Sequence, residues 1–145
     1  MNNFSEVRSF AGQVARAGAA QIATVSYLNN DVKSIFAGQF VTRSDDGCKL
    51  VSADTDMILG AVVAMGVLKE FKAGTNLSVL AANYGDEIWV QAVDSAKFNI
   101  GDRVYVDVKT SNASNSGIAT NFYVTKVNGN LIKIMRQDSI NKTGE

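Results

Sequence analysis

From Ala73 to Val108 one phrase of hydrophobic and polar positions occurs three times: glycine, two polar residues, an aliphatic residue, any residue, valine. The copies are Gly74-Thr75-Asn76-Leu77-Ser78-Val79, Gly85-Asp86-Glu87-Ile88-Trp89-Val90 and Gly101-Asp102-Arg103-Val104-Tyr105-Val106. A glycine beside a short polar residue is turn chemistry, and the alternation that follows has the period of a half-buried strand. The pattern predicts short antiparallel strands joined by compact turns. In the second copy Ile88, Val90 and Ala92 share one face, and Trp89, Gln91 and Val93 the other. In the third, Val104, Val106 and Val108 form a core face opposite Tyr105, Asp107 and Lys109. Trp89 and Tyr105 occupy matching places. Two readings remain open for them: cover by an arm, a second sheet or a partner, or a second core layer of the same sandwich.

Further strands are predicted at 22–28 and 39–43, with a short one at 49–51. Ile58 to Ala64 is a continuous apolar run, as in a strand buried on both faces, and Gly60 within it signals a bulge or a close backbone approach. Residues 122–127 and 131–135 flank Asn128-Gly129-Asn130, a strong hairpin signal. The Ser/Asn/Gly-rich stretch 110–120 reads as a mobile loop with little to pack. Before residue 30 the pattern is ambiguous. Val7, Phe10, Val14 and Ile22 fit one helical face, but Gly12 and Gly18 oppose a helix, and an extended arm is the equal alternative. The expected organisation is an arm and first strand over 1–30, a β body over 31–136, and a polar tail over 137–145.

Composition then removes most chemistry. The chain has 145 residues, one domain's worth, with 46% hydrophobic and 19% charged residues. Fourteen basic residues balance fourteen acidic ones, and no basic stripe occurs, against direct binding of nucleic acid. Histidine is absent, and with it the commonest general base and metal ligand. Cys48 is the only cysteine, so neither an internal disulfide nor a thiolate cluster can form, and it reads as a small buried hydrophobe. Asp86, Glu87 and Asp102 read as turn residues rather than an acid–base pair. The acidic stretches at 45–47 and 54–56 lack calcium-loop spacing. No phosphate-cradling fingerprint appears. No catalytic residue, metal or cofactor is expected. Nor is a membrane span or secretion signal, so the chain is expected to stay soluble where it is made. Proline is absent too, which leaves edge strands without that guard against pairing with other chains.

The order of short glycine-centred segments resembles a known family. Ala11-Gly12-Gln13-Val14-Ala15 is followed by Ile35-Phe36-Ala37-Gly38-Gln39-Phe40-Val41 and Ile58-Leu59-Gly60-Ala61-Val62. Ala73-Gly74 through Val79, Ile88-Trp89-Val90 and Gly101 through Val106 complete the series. It is similar to the structural cement, or capsid decoration, proteins of tailed phages. The resemblance implies an all-β fold, a small β-barrel or β-sandwich with an extended N-terminal arm. It implies a non-enzymatic virion protein on the outer capsid surface, made in the host cytoplasm. Its partners would be the major capsid protein and copies of itself, as trimers at threefold or quasi-threefold positions, bracing the head against packaged DNA. The candidate contact residues are Phe4, Phe10, Gln13, Val14, Arg16, Trp89 and Tyr105. The alternatives are another virion β domain (a head-fibre base or a tail part) and a small barrel binding nucleic acid or sugar through Trp89, Tyr105 and Tyr123.

Overall fold

The computed structural model describes residues 10–16, 24–80 and 86–137. Within them every helix or strand is a strand. In order these are β1 (Val14–Arg16), β2 (Thr24–Asn29), β3 (Ile35–Phe36), β4 (Phe40–Ser44), β5 (Gly47–Leu50), β6 (Ile58–Val63), β7 (Glu70–Phe71) and β8 (Asn76–Leu80). They continue with β9 (Glu87–Gln91), β10 (Arg103–Val106), β11 (Ala113–Ser114), β12 (Ile118–Asn128) and β13 (Leu131–Arg136). Strands β2-β5-β4-β6-β8 close a barrel, while β1-β9-β13-β12-β10-β11 form a six-stranded sheet, and β3 and β7 make a small ribbon. The fold is all-β, as expected.

Burial explains the continuous apolar run. Neighbouring residues of a strand point to opposite faces. In β4, Val41 enters the barrel interior with Val62, Val79, Leu77 and Cys48, whereas Phe40 points to a second core. That second core lies between the barrel wall and the sheet. Phe40, Ala61 and Leu80 meet Ile88, Val90, Val104, Val106, Phe122, Val124, Ile132 and Ile134 there. Phe40 and Phe122 pack edge to face across the boundary, with ring centroids 6.1 Å apart. Barrel strands facing this boundary are therefore apolar on both faces. Gly60 fulfils both parts of its reading: the register with β4 slips beside it, and a Cβ there would strike the Leu80 carbonyl.

Three expectations are corrected. Gly74 and Gly101 do precede strands, and the second phrase enters β9 at Glu87, but β8, β9 and β10 do not pair with one another. β8 lies in the barrel between β2 and β6, and β9 and β10 are separated in the sheet by β13 and β12. Alternation decides which face of a strand is buried and says nothing about its neighbour. Nor is the body wholly antiparallel, because β2 pairs parallel to β5, with Leu28 opposite Gly47. A closed ring of five strands has an odd number of neighbours, so strand direction cannot alternate all the way round. The third correction concerns 110–120. Ser111, Ala113 and Ser114 are buried, and Ala113–Ser114 is an edge strand on β10. The Ser111 carbonyl accepts from the Phe40 N–H (2.8 Å). Its hydroxyl accepts from the Val51 N–H (2.9 Å) and donates to the Val51 carbonyl (3.3 Å). This segment joins barrel to sheet.

Candidate interaction surfaces

Residues 10–16 belong to the stretch, 1–30, expected to hold the arm and first strand; residues 1–9 and 17–23 of it lie outside the described residues. Residues 10–16 follow an extended course, through a turn at 10–13 and then β1, which pairs with β9 at the sheet edge. The turn has a twin. Phe10-Ala11-Gly12-Gln13 and Phe36-Ala37-Gly38-Gln39 are the same four residues, and they fold alike. In each, the Gln N–H donates to the Phe carbonyl (3.1 Å in both). In each, the Gln side-chain oxygen accepts from the Phe N–H, at 3.4 Å for Gln13 and 2.8 Å for Gln39. The glycines have φ of +85° and +90°, the geometry a type II turn needs at its third residue.

Each turn grips one strand residue at both ends. Gly12 N–H donates to the Trp89 carbonyl (2.8 Å), and Trp89 N–H to that of Gln13 (2.9 Å). Gly38 N–H donates to the Val62 carbonyl (2.8 Å), and Val62 N–H to that of Gln39 (2.9 Å). The two turns also interlock: a Cβ on Gly12 would meet that of Ala37, and a Cβ on Gly38 that of Ala11. The Ala64 N–H donates across to the Gly12 carbonyl (3.0 Å). Residues 10–16 are thus fastened to β9 in the sheet and to the end of β6 in the barrel. Lys69 Nζ lies 4.2 Å from the centroid of the Phe10 ring, within cation–π range. Reading single segments missed this device; the repeated Phe-Ala-Gly-Gln, visible in the sequence, was the signal for it.

The candidate contact residues divide. Phe10, Gln13, Val14 and Arg16 come together with Trp89 at the β1–β9 edge, Arg16 opposite Glu87 in register. Val14 packs on the core between barrel and sheet. Trp89 is only 6% exposed, and Lys133 Nζ sits 5.9 Å from its ring centroid and 3.5 Å from Glu87 Oε1. Trp89 therefore holds the fold within its own chain. Tyr105 is half-buried on β10, three strands from β9 in the sheet, opposite Ala119. Tyr123 faces Met135 and Arg103, so Trp89, Tyr105 and Tyr123 do not form one row. Phe4 lies outside the described residues.

The polar groups serve loops. Asp102 Oδ2 accepts from the Asn99 N–H (2.8 Å), turn chemistry as expected. Asp56 Oδ2 accepts from Ser52 and Ala53 N–H groups, chiefly the former holding its carboxyl below the ordinary range. Cys48 is fully buried, and burial, with the Asp31 charge adding to it, pushes its thiol up to about 11. Among the described residues no three His, Cys, Asp or Glu side chains gather as a metal site would require.

An all-β body of barrel and sheet, with an anchored N-terminal segment and polar groups committed to turns, defines a structural module. A family model described as structural cement protein (E217 gp24/Pam3 gp6) matches residues 7–137. The chain belongs to this family and is a structural protein of a phage virion. A search of curated proteins finds no match. Two solved structures share the fold. One, described as the capsid of Myoviridae phage XM1, is similar with a TM-score of 0.69 at 16% identity, over 93% of this chain and 96% of that one. The other is the head fiber gp8.5 N base of bacteriophage phi29, with a TM-score of 0.55 at 16% identity, over 79% of this chain and 95% of that one.

Proposed function

We propose that this protein binds the outer surface of a phage head and bridges neighbouring copies of the major capsid protein, bracing the shell against internal DNA pressure. In this reading it acts as a non-enzymatic clamp, as trimers at threefold or quasi-threefold positions, and it needs neither nucleic acid nor membrane. The observation that carries the reading is the double fastening of residues 10–16. A load on the N-terminal segment passes from Gly12 to Trp89 in the sheet and to Ala64 beside the barrel, so neither sheet can peel alone. Phe4, Phe10, Gln13 and Arg16 are the proposed contacts. Val14 and Trp89 position that segment, and Tyr105 is a separate contact on the outer face. Repeated over many copies, weak single contacts add through avidity. Net charge of zero leaves little repulsion between closely packed copies.

Deleting residues 1–9 tests this, because the turn at 10–13 and β1 remain. Binding to purified heads should weaken at least about tenfold, the effect of losing roughly 1.4 kcal/mol of contact, while the urea melt of the body stays unchanged. Undiminished saturation of heads by the truncated chain would defeat the proposal. The shared fold with a head-fibre base supports a second reading, attachment at fibre positions. Electron microscopy of decorated particles separates the two, since a clamp covers the shell and a fibre base occupies scattered sites.

A further inference from the structure

Barrel and sheet are fastened together beyond the C-terminal end of β6, where the Ala64 N–H donates to the Gly12 carbonyl. At the N-terminal end of that strand they part, and a groove of about 560 Å³ opens between β6 and β12. Ile58 from one strand and Ile118 from the other line it, both only half-buried where they pack on the core. Asp56, Thr120 and Arg136 line it as well. Its polarity is thus mixed and its charges offset, so neither singles out an occupant.

Strand pairing does. β13 ends at Arg136, opposite Phe122, while β12 begins at Ile118. From Ile118 to Asn121, β12 therefore has β10 on one flank and, among the described residues, no strand on the other. An open edge of this kind is a template for another strand. Gln137 already follows it: its N–H donates to the Asn121 carbonyl (2.8 Å), one step past the end of β13. Residues 138–145 come next in the chain and lie outside the described residues. At about 3.3 Å per residue, Ile140 is within about 10 Å of Gln137. The inward row is fixed as well. Ile132 and Ile134 on β13, and Thr120 and Phe122 on β12, are buried, whereas Ala119 and Asn121 are exposed. Between the pairs Arg103–Tyr123 and Tyr105–Ala119, β10 advances two residues and β12 four, an even excess that preserves this alternation. Carrying the register of β13 onward sets Asp138 opposite Thr120 and Ile140 opposite Ile118, on the inward row.

We propose that residues 138–141 extend β13 along the open edge of β12 and fill the groove, with Ile140 seated between Ile58 and Ile118. Ser139 and Asn141 then face solvent. An alternating segment suits a groove of mixed polarity, which a wholly apolar one would not. Asp138 falls near both Arg136 and Asp56, whose charges offset, so main-chain pairing and the apolar contact of Ile140 hold the segment. It forms a second fastening of barrel to sheet, at the opposite end of β6 from Gly12. This device does not rest on the capsid reading above.

The test pairs Met57→Cys, at a groove residue that is 78% exposed, with a second cysteine in the full-length chain, Ser139→Cys, Ile140→Cys or Asn141→Cys. Cys48 is fully buried and does not compete. The three double variants are oxidised mildly, and disulfide formation is followed by mass. Met57→Cys/Ile140→Cys should close several-fold faster than either neighbour, at the mass of a single chain. Equal rates at the three positions overturn the proposal. So does a product of doubled mass, which would put the C-terminal segment of a second copy in the groove. Urea melts supply the second readout, since the described body remains in every variant. Ile140→Asp should lower the midpoint as far as removal of residues 138–145 does, and Ser139→Asp should leave it unchanged. A midpoint indifferent to that removal, or equal shifts for Ile140→Asp and Ser139→Asp, would also overturn it.

Discussion

Gly12 faces Ala37 so closely that a Cβ on Gly12 would lie 2.5 Å from the Ala37 Cβ and 2.8 Å from the Ala64 nitrogen. This contact seats one Phe-Ala-Gly-Gln turn in the other, and it sets the position of the N-terminal segment. Gly12→Ala therefore meets both a steric clash and an unfavourable φ of +85°. Strain in the left-handed region and overpacking each cost about 1–3 kcal/mol, so a loss of about 2–6 kcal/mol is expected. At roughly 2–4 °C per kcal/mol for a chain this size, thermal melting should fall by about 4–24 °C. Hydrogen exchange at the Trp89 and Ala64 amides should quicken. Adding Ala37→Gly should restore only the share of the loss that comes from the Ala37 Cβ, since the Ala64 nitrogen stays in place, and a double variant no better than Gly12→Ala would refute the argument that the two turns pack on each other.

Ser111 is buried with φ +61° and satisfies both backbone groups of Val51. Ser111→Ala leaves the Val51 N–H without its partner, at a cost of about 1–3 kcal/mol. Ser111→Gly loses the same hydroxyl but relieves the left-handed backbone, worth about 1–2 kcal/mol. Urea melts should rank wild type above the glycine variant and that above the alanine variant. The reverse order of the two variants would show that backbone strain at this junction is unimportant.

Cys48 should resist Ellman's reagent at pH 8 in the native protein and react fully once unfolded. Its thiol is raised in the folded state to about 11, from 9.0. The folded chain thus holds this proton more tightly than the unfolded chain. The associated stability is fully present below about pH 9 and is lost as pH rises towards 11. Cys48→Ala should flatten that alkaline decline while lowering stability at neutral pH through the cavity it leaves. An alkaline limb identical in both proteins would place the decline elsewhere.

Lys133→Ala removes the cation above Trp89 and leaves Glu87 without its ion pair. Glu87 is largely buried and Lys133 partly exposed, so the loss should fall between surface and buried pairs, about 1–2 kcal/mol. Trp89 is the only tryptophan, so its fluorescence reports the site directly. Emission should shift to the red as water reaches the ring. An unshifted spectrum with unchanged stability would show that Lys133 does not cover Trp89.

Local rules were enough to find most strands. The hairpin of β12 and β13 turns at Gly129-Asn130, between Asn128 and Leu131, because two residues of that chemistry match the twist of the strands they join. The run from Ile58 to Ala64 announced burial on both faces, and its glycine announced a bulge, through residue type alone. The family was legible in the same way, as an order of short segments. Pairing was not. Glycine phrases of one pattern went to the barrel and to separate places in the sheet, since a strand's alternation names its buried face and leaves its neighbour open.

The sequence by itself determined that this is an all-β chain of the structural cement family, with turn glycines and without histidine. Only tertiary structure decided that polar Ser111 is buried, because the joint between barrel and sheet needed a hydroxyl for the Val51 backbone. It alone brought the two Phe-Ala-Gly-Gln turns together. Their repetition is written in the chain, but mutual packing depends on closing a five-stranded ring that places Gly38 against Ala11. Local patterns record what a backbone segment can do, whereas contacts between distant segments depend on the shape that all of them must fill together.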